Sequence, residues 1–300
     1  MNFDVARVGG IVVPVITPFK EDESIDELAL EKIVQRLLNN HVHGIFINST
    51  TGEGVCLSDD EKKRVLEIVV NSVQSKIPVY ASVSDVGSKR AIHNLQEVEA
   101  MGADIAVAHP PYYYLPNSQE EIYFYFRDLA AVSSIPMMLY NIPSTTKAPI
   151  SLDTVKRLLE LDTIIGIKDS SVDFVFLQNL IELKKIRPDF KVLIGKSNLW
   201  TAGILSGADG GLDGISNLIP GRCVALYNNI QNSSDSVFQQ QKEINEIWRV
   251  YECRSFLGGI KGAMSLLGLC KPLTARPILS ATGAEMKKIE NILRKWDILK

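Results

Sequence analysis

The sequence has no apolar run that approaches the ~20 residues a bilayer span needs, and no basic segment leads into an apolar one at its N-terminus. Both absences give the expectation of a soluble, cytoplasmic protein without a membrane partner. Cysteine is scarce and scattered: Cys56, Cys223, Cys253 and Cys270 form no C-x-x-C pair and have no histidine at finger spacing. That pattern argues against a disulfide framework or a zinc ribbon and reads as reduced thiols. An excess of one charge is missing too, since 32 basic and 35 acidic residues are mixed along the chain to a net −3. A nucleic-acid footprint needs a basic stripe, so no nucleic-acid partner is expected. An anionic small molecule remains admissible, because a pocket's field need not follow the total charge. Glycine-rich loops of the phosphate- or dinucleotide-binding kind are absent as well.

What is present is repetition. The 300 residues are 46% hydrophobic, enough for a sizeable core. A short, uniformly apolar strand, a polar loop and an amphipathic helix return as a unit, with strands expected at 10–16, 44–48, 78–81, 104–108, 136–140, 163–168, 191–195 and 210–215. Asp26, the Ser58/Glu61 capping box and Ser151 mark helix starts. Apolar strands alternating with amphipathic helices indicate a parallel sheet covered by helices. Eight units close a TIM (β/α)8 barrel. A doubly wound open sheet would announce itself by a glycine-rich first turn, and Ile16-Thr17-Pro18-Phe19 has none. Beyond Arg222 no strand pattern appears; three helical stretches near 222–249, 254–268 and 283–298 follow, with Pro272 and Pro277 between the last two. The expected organisation is a barrel over 1–221 carrying the active site, and a C-terminal three-helix extension over 222–300 packed on it.

In such a barrel the chemistry lies at the C-terminal ends of the strands. The polar residues there are Thr17, Thr50, Thr51, His109, Tyr112, Tyr113, Tyr140, Asn141, Lys168, Asp169, Lys196, Ser197, Asp213, Ser216 and Asn217. A metal site needs several converging ligands, but His41 and His43 precede the second strand, His93 lies on a helix, and His109 stands alone. No metal is expected. No strand-end serine has a histidine to make a triad.

Lys168 remains. Thr163-Ile164-Ile165-Gly166-Ile167 is an apolar strand that ends abruptly in this lysine. Burying an ammonium disfavours its charged form, and an uncharged amine is a nucleophile toward a carbonyl. The plainer alternative has Lys168 just outside the strand, reaching water along its aliphatic stem. Tyr140, ending the adjacent strand, can carry a proton through its phenol. Thr50, Thr51 and Gly52 can offer hydroxyls and backbone N–H groups to a carboxylate. A 2-oxo acid such as pyruvate has the matching pair of groups.

Three blocks, Ser49-Thr50-Thr51-Gly52-Glu53, Tyr140-Asn141-Ile142-Pro143-Ser144 and Gly166-Ile167-Lys168-Asp169, resemble the signatures of the dihydrodipicolinate synthase / N-acetylneuraminate lyase family. Thr17-Pro18-Phe19, Pro111-Tyr112-Tyr113 and the run from Gly207 through Gly214 to Asn217 and Pro220 support the likeness along nearly the whole chain. The resemblance implies a class I, Schiff-base aldolase or lyase on a TIM barrel that uses pyruvate and an aldehyde, works without a metal cofactor, and assembles as a homodimer or homotetramer. It implies that Lys168 forms the imine, that Tyr140 and Thr50 relay the proton, and that Thr51 helps seat the pyruvate carboxylate. Gly52, Gly195, Lys196 and Gly214 count as further substrate-binding positions. Tyr113 corresponds to a tyrosine that reaches into a neighbouring subunit's site; local aromatic packing is the alternative.

The likeness departs in places. Synthases of the family carry an arginine for the second substrate's carboxylate where this chain has Thr145, so no guanidinium is available there. Lys196 follows Gly195 where sialic-acid lyases carry acidic residues; it suggests an anionic second substrate, or else a surface lysine. The expectation is reversible cleavage of a 2-oxo-3-deoxy (sugar) acid to pyruvate and an aldehyde. The alternatives are 4-hydroxy-tetrahydrodipicolinate synthase, joining pyruvate to aspartate semialdehyde, and a barrel that binds a 2-oxo acid without turning it over. A metal-dependent hydrolase is the remotest reading.

Overall fold

The computed structural model describes residues 3–299. Eight parallel strands pair in chain order and β8 returns to β1, closing the barrel. They are β1 (Gly10–Pro14), β2 (Gly44–Ile47), β3 (Val79–Ser82), β4 (Ile105–Ala108), β5 (Met137–Asn141), β6 (Ile164–Asp169), β7 (Lys191–Ile194) and β8 (Gly210–Gly211). Nearly every strand residue is buried, because one face meets the barrel interior and the other meets helices. That is why the strands are apolar throughout instead of alternating. Phe46, Tyr80, Val107, Met138, Leu193 and Leu212 fill the interior as one packed cluster. The barrel interior is therefore a packed core and not a pore.

The covering helices are α1 (Glu27–Asn39), α2 (Asp59–Val73), α3 (Ser88–Ala100), α4 (Gln119–Val132), the short α5 (Pro143–Thr146), α6 (Leu152–Leu158), α7 (Phe174–Glu182), α8 (Trp200–Leu205) and α9 (Pro220–Gln231). Then come α10 (Val237–Trp248), α11 (Phe256–Leu266) and α12 (Gly283–Lys295). The starts follow the expected caps. Asp26 accepts from Ala29 N, Ser58 and Glu61 close a reciprocal box, and Ser151 accepts from Thr154 N.

Three details differ from expectation. The eighth strand stops at Gly211, since Asp213 Oδ1 accepts from Ile215 N at 3.0 Å and turns the chain into a 3-10 turn. The stretch 222–249 is two helices, α9 and α10; the polar run 232–236, with Ser233 at φ 54°, separates them. The loop after β5 forms the single turn α5, opened by Pro143. Among the described residues, no helix is long and apolar enough to cross a membrane.

Candidate active site

Lys168 lies inside β6, level with Tyr140 on β5 and Leu193 on β7. It is only 4% exposed, so the reading that sends its amine along the stem into water does not hold. Its Nζ sits 3.8 Å from the centroid of the Tyr140 ring and 5.3 Å from that of Phe46. Among the described residues no carboxylate stands within ion-pair distance of it. The amine rests on two aromatic faces, which attract a cation without fixing it in a salt bridge.

The next residue points the other way, as strand alternation requires. Asp169 accepts from Asn141 Nδ2 at 2.7 Å and from the Ser171 hydroxyl at 2.8 Å, and Asn141 Oδ1 accepts from Ile150 N at 3.1 Å. Burial raises the Asp169 carboxyl above its ordinary value, with those hydrogen bonds opposing. These two strand-end residues tie loops together behind the barrel. Asn217 does the same: it accepts from Ile16 N and donates to Pro14 O and Gly214 O.

Above Lys168 opens a cavity of ≈ 390 Å³. Of the residues singled out in the sequence, Thr50, Thr51, Tyr140, Lys168, Gly195, Lys196 and Gly214 all line it. A Cβ at Gly214 would lie 2.6 Å from the Tyr251 hydroxyl and 3.0 Å from Thr51 Cγ2; glycine lets both approach. A second cavity of ≈ 300 Å³ adjoins across Thr50, Tyr140 and Ile142 and contains His109. The His109 Nδ1 donates to Pro110 O at 2.8 Å, and its backbone N–H donates to Ser84 Oγ at 2.7 Å. Ser84 lies in the turn after β3 and so fixes the start of the loop after β4. Burial, helped by the Lys168 charge, holds the His109 imidazole below its ordinary value.

Two expected residues stand apart. Gly52 does not line the cavity: its N–H donates to Ser49 Oγ at 3.2 Å and its carbonyl accepts from Thr17 Oγ1 at 2.7 Å. Tyr113 is 81% exposed and packs edge-on to Tyr114, at 5.1 Å between ring centroids. It does not reach this chain's own cavity.

Other features of the site come from outside the strand ends. Trp248, Tyr251 and Phe256 form an aromatic wall over the cavity, with successive rings 5.4 and 6.1 Å apart. Burial and the nearby Asp213 carboxylate push the Tyr251 phenol well above its ordinary value. Glu53, at φ 58° in the Thr50–Thr51 loop, is ion-paired with Lys261 of α11, and both side chains are completely buried. The other Glu53 oxygen accepts from Ala275 N at 2.6 Å. Lys261 had a visible signal, a single charge inside the apolar run of α11. Among the described residues, no three His, Cys, Asp or Glu side chains are grouped to hold a metal ion.

Residues 7–296 match the Dihydrodipicolinate synthetase family. The chain belongs to this family. Its members are Schiff-base, pyruvate-dependent lyases, and the chain is an enzyme of that class. It is 35% identical to an uncharacterized DapA-like lyase of Pyrococcus horikoshii, over 95% of this chain and 99% of that protein. It is 32% identical to the 4-hydroxy-tetrahydrodipicolinate synthase of Methanothermobacter thermautotrophicus, over 87% of this chain and 93% of that one. The crystal structure of an E. coli K12 prophage protein of the family, in complex with pyruvate, superposes with a TM-score of 0.93 at 25% identity, covering 97% of this chain and 99% of its own. The fold, the recognition of the family and the enzyme class read from the three sequence blocks are thereby borne out.

Proposed function

We propose that this enzyme is a class I aldolase that reversibly cleaves a 2-oxo-3-deoxy acid to pyruvate and an aldehyde. The observation that carries the reading is the buried Lys168 amine, free of any carboxylate among the described residues and lying against the Tyr140 ring in a cavity edged by Thr50 and Thr51. The related prophage protein's complex with pyruvate supports the choice of 2-oxo acid.

Lys168 Nζ attacks the C2 carbonyl carbon of the bound acid to give a carbinolamine. Tyr140 protonates the departing hydroxyl, water leaves, and an iminium forms. Tyr140, now a phenolate, takes the proton from the C4 hydroxyl. The C3–C4 bond breaks, its electron pair moves into the iminium to make an enamine, and the aldehyde is released. Protonation at C3 and hydrolysis return pyruvate and the free amine. Thr50 passes protons to Tyr140, and Thr51 with Thr50 holds the carboxylate throughout. The cytoplasm is the proposed location. A homodimer or homotetramer is the proposed assembly, with exposed Tyr113 directed at a neighbour.

Incubation with pyruvate and borohydride followed by intact-mass and peptide analysis tests this. One reduced pyruvyl adduct on Lys168 is expected; an unmodified chain overturns it. The synthase of the lysine pathway is the second reading, supported by the synthase among the relatives. Turnover of aspartate semialdehyde in a coupled assay favours it despite Thr145.

A further inference from the structure

Within the cavity that holds Lys168 there is a second lysine whose charge nothing consumes. Lys196 is half-buried, lines that cavity, and has no carboxylate in ion-pair range among the described residues. Neighbouring cations are occupied: Lys147 Nζ donates to Ser144 O at 2.7 Å, and Lys62 pairs with Asp59 at 3.2 Å. Asp213, the acid lining the same cavity, is committed elsewhere. Its Oδ2 accepts from Ser197 N and its Oδ1 from Ile215 N, each at 3.0 Å.

The turn that presents Lys196 is built rather than loose. Gln241 of α10 donates to Ser197 O and accepts from Thr201 N, each at 2.9 Å, and the Trp200 indole N–H donates to Ile194 O at 3.0 Å. Lys196 stands three residues beyond Leu193, which is level with Lys168. As β7 ends at Ile194, this puts Lys196 past the strand end, further toward the mouth than Lys168. An oxygen anion several bonds beyond the bond being broken would meet it there. Thr145, which lines the same cavity, offers a hydroxyl and no charge, so Lys196 is the basic side chain there besides Lys168 among the described residues.

We propose that Lys196 is the specificity residue for the second substrate, and that this substrate is an aldehyde carrying a terminal carboxylate or phosphate. The inference rests on the aldolase reading of the site. In the cleavage direction the substrate is then an acid with an anionic group at both ends: one against Thr50 and Thr51, the other against Lys196.

The test offers pyruvate with two matched aldehyde pairs, succinic semialdehyde against butanal and glyceraldehyde 3-phosphate against glyceraldehyde, to the wild type, Lys196→Met and Lys196→Arg. The wild type should prefer the anionic member of at least one pair by on the order of 10–100-fold in kcat/KM, the worth of one charge-assisted hydrogen bond. Lys196→Met should erase that preference, mainly through the aldehyde KM. Lys196→Arg should keep most of it, and pyruvate should still be trapped by borohydride on Lys168 in every variant. Which pair shows the effect separates carboxylate from phosphate. The inference is overturned by equal use of charged and neutral aldehydes, by no turnover of either anionic aldehyde, or by Lys196→Met slowing both members alike. Failure of pyruvate trapping in the wild type would instead sink the aldolase reading beneath it.

Discussion

Replacing Lys261 by methionine probes how the C-terminal helices hold the Thr50–Thr51 loop. The pair with Glu53 is fully shielded from water, and the Lys261 ammonium also lies 4.0 Å from the Phe19 ring centroid. Burial lowers the Lys261 pKa from its ordinary value, with the Glu53 charge opposing. Methionine keeps the stem and removes the charge, leaving the carboxylate buried beside Ala275 N alone. An orphaned buried charge costs about 3–5 kcal/mol. With an unfolding entropy of ~2.1 cal/mol/K per residue over 300 residues, that corresponds to a fall in Tm of about 5–8 °C. Scanning calorimetry at pH 7.5 measures it. The Glu53→Gln/Lys261→Met double variant should regain most of the loss, because no charge is left unmatched. Activity should not return with it: Glu53 holds the loop at positive φ, and a looser Thr50–Thr51 seat should raise the KM for pyruvate in both variants. A single variant melting within about 1 °C of wild type, or a double variant no better than the single one, would refute the account of this pair.

Tyr140→Phe keeps the ring under the Lys168 amine and removes the proposed proton carrier. Its kcat should fall by ~10²–10⁴, while borohydride still traps pyruvate on Lys168 more slowly; near-normal kcat would assign the proton transfer to another group. His109 titrates below its ordinary 6.5 in the folded state. The folded protein therefore binds fewer protons than the unfolded chain, and stability present above pH 6.5 is lost as the pH drops through that value toward the folded one. Melting temperatures of wild type and His109→Gln at pH 7.5 and 5.5 check this: the variant should lose less, and equal losses would refute it.

The barrel was legible because burial on both faces leaves a plain mark, a run such as Ile45-Phe46-Ile47 with no polar alternation. Lys168 was legible for the opposite reason, being a charge where packing alone would place an aliphatic. The end of β8 was not: Leu212 and Ile215 continue the apolar pattern, and only the capture of the Ile215 N–H by Asp213 stops the strand. Asn141, Asp169 and Asn217 looked like site residues because strand ends hold both reacting groups and the polar stitches that close loops; composition does not separate the two. Trp248, Tyr251 and Phe256 lie far from any strand end in the sequence, and only the folding back of α10 and α11 carries them over the mouth.

The Lys168 amine and the rings above it come from distant parts of the chain and share no hydrogen-bonded ladder. The Trp248 and Phe256 rings, neither of them fully buried, can accordingly be exchanged without disturbing the cylinder around Lys168, whereas Val250 belongs to the common core. Grafting other rings, or a charge, onto that canopy would diversify the fragment accepted while the bond-breaking step stays constant. The same separation offers natural descendants a route to new substrates in which the proposed nucleophile is never put at risk.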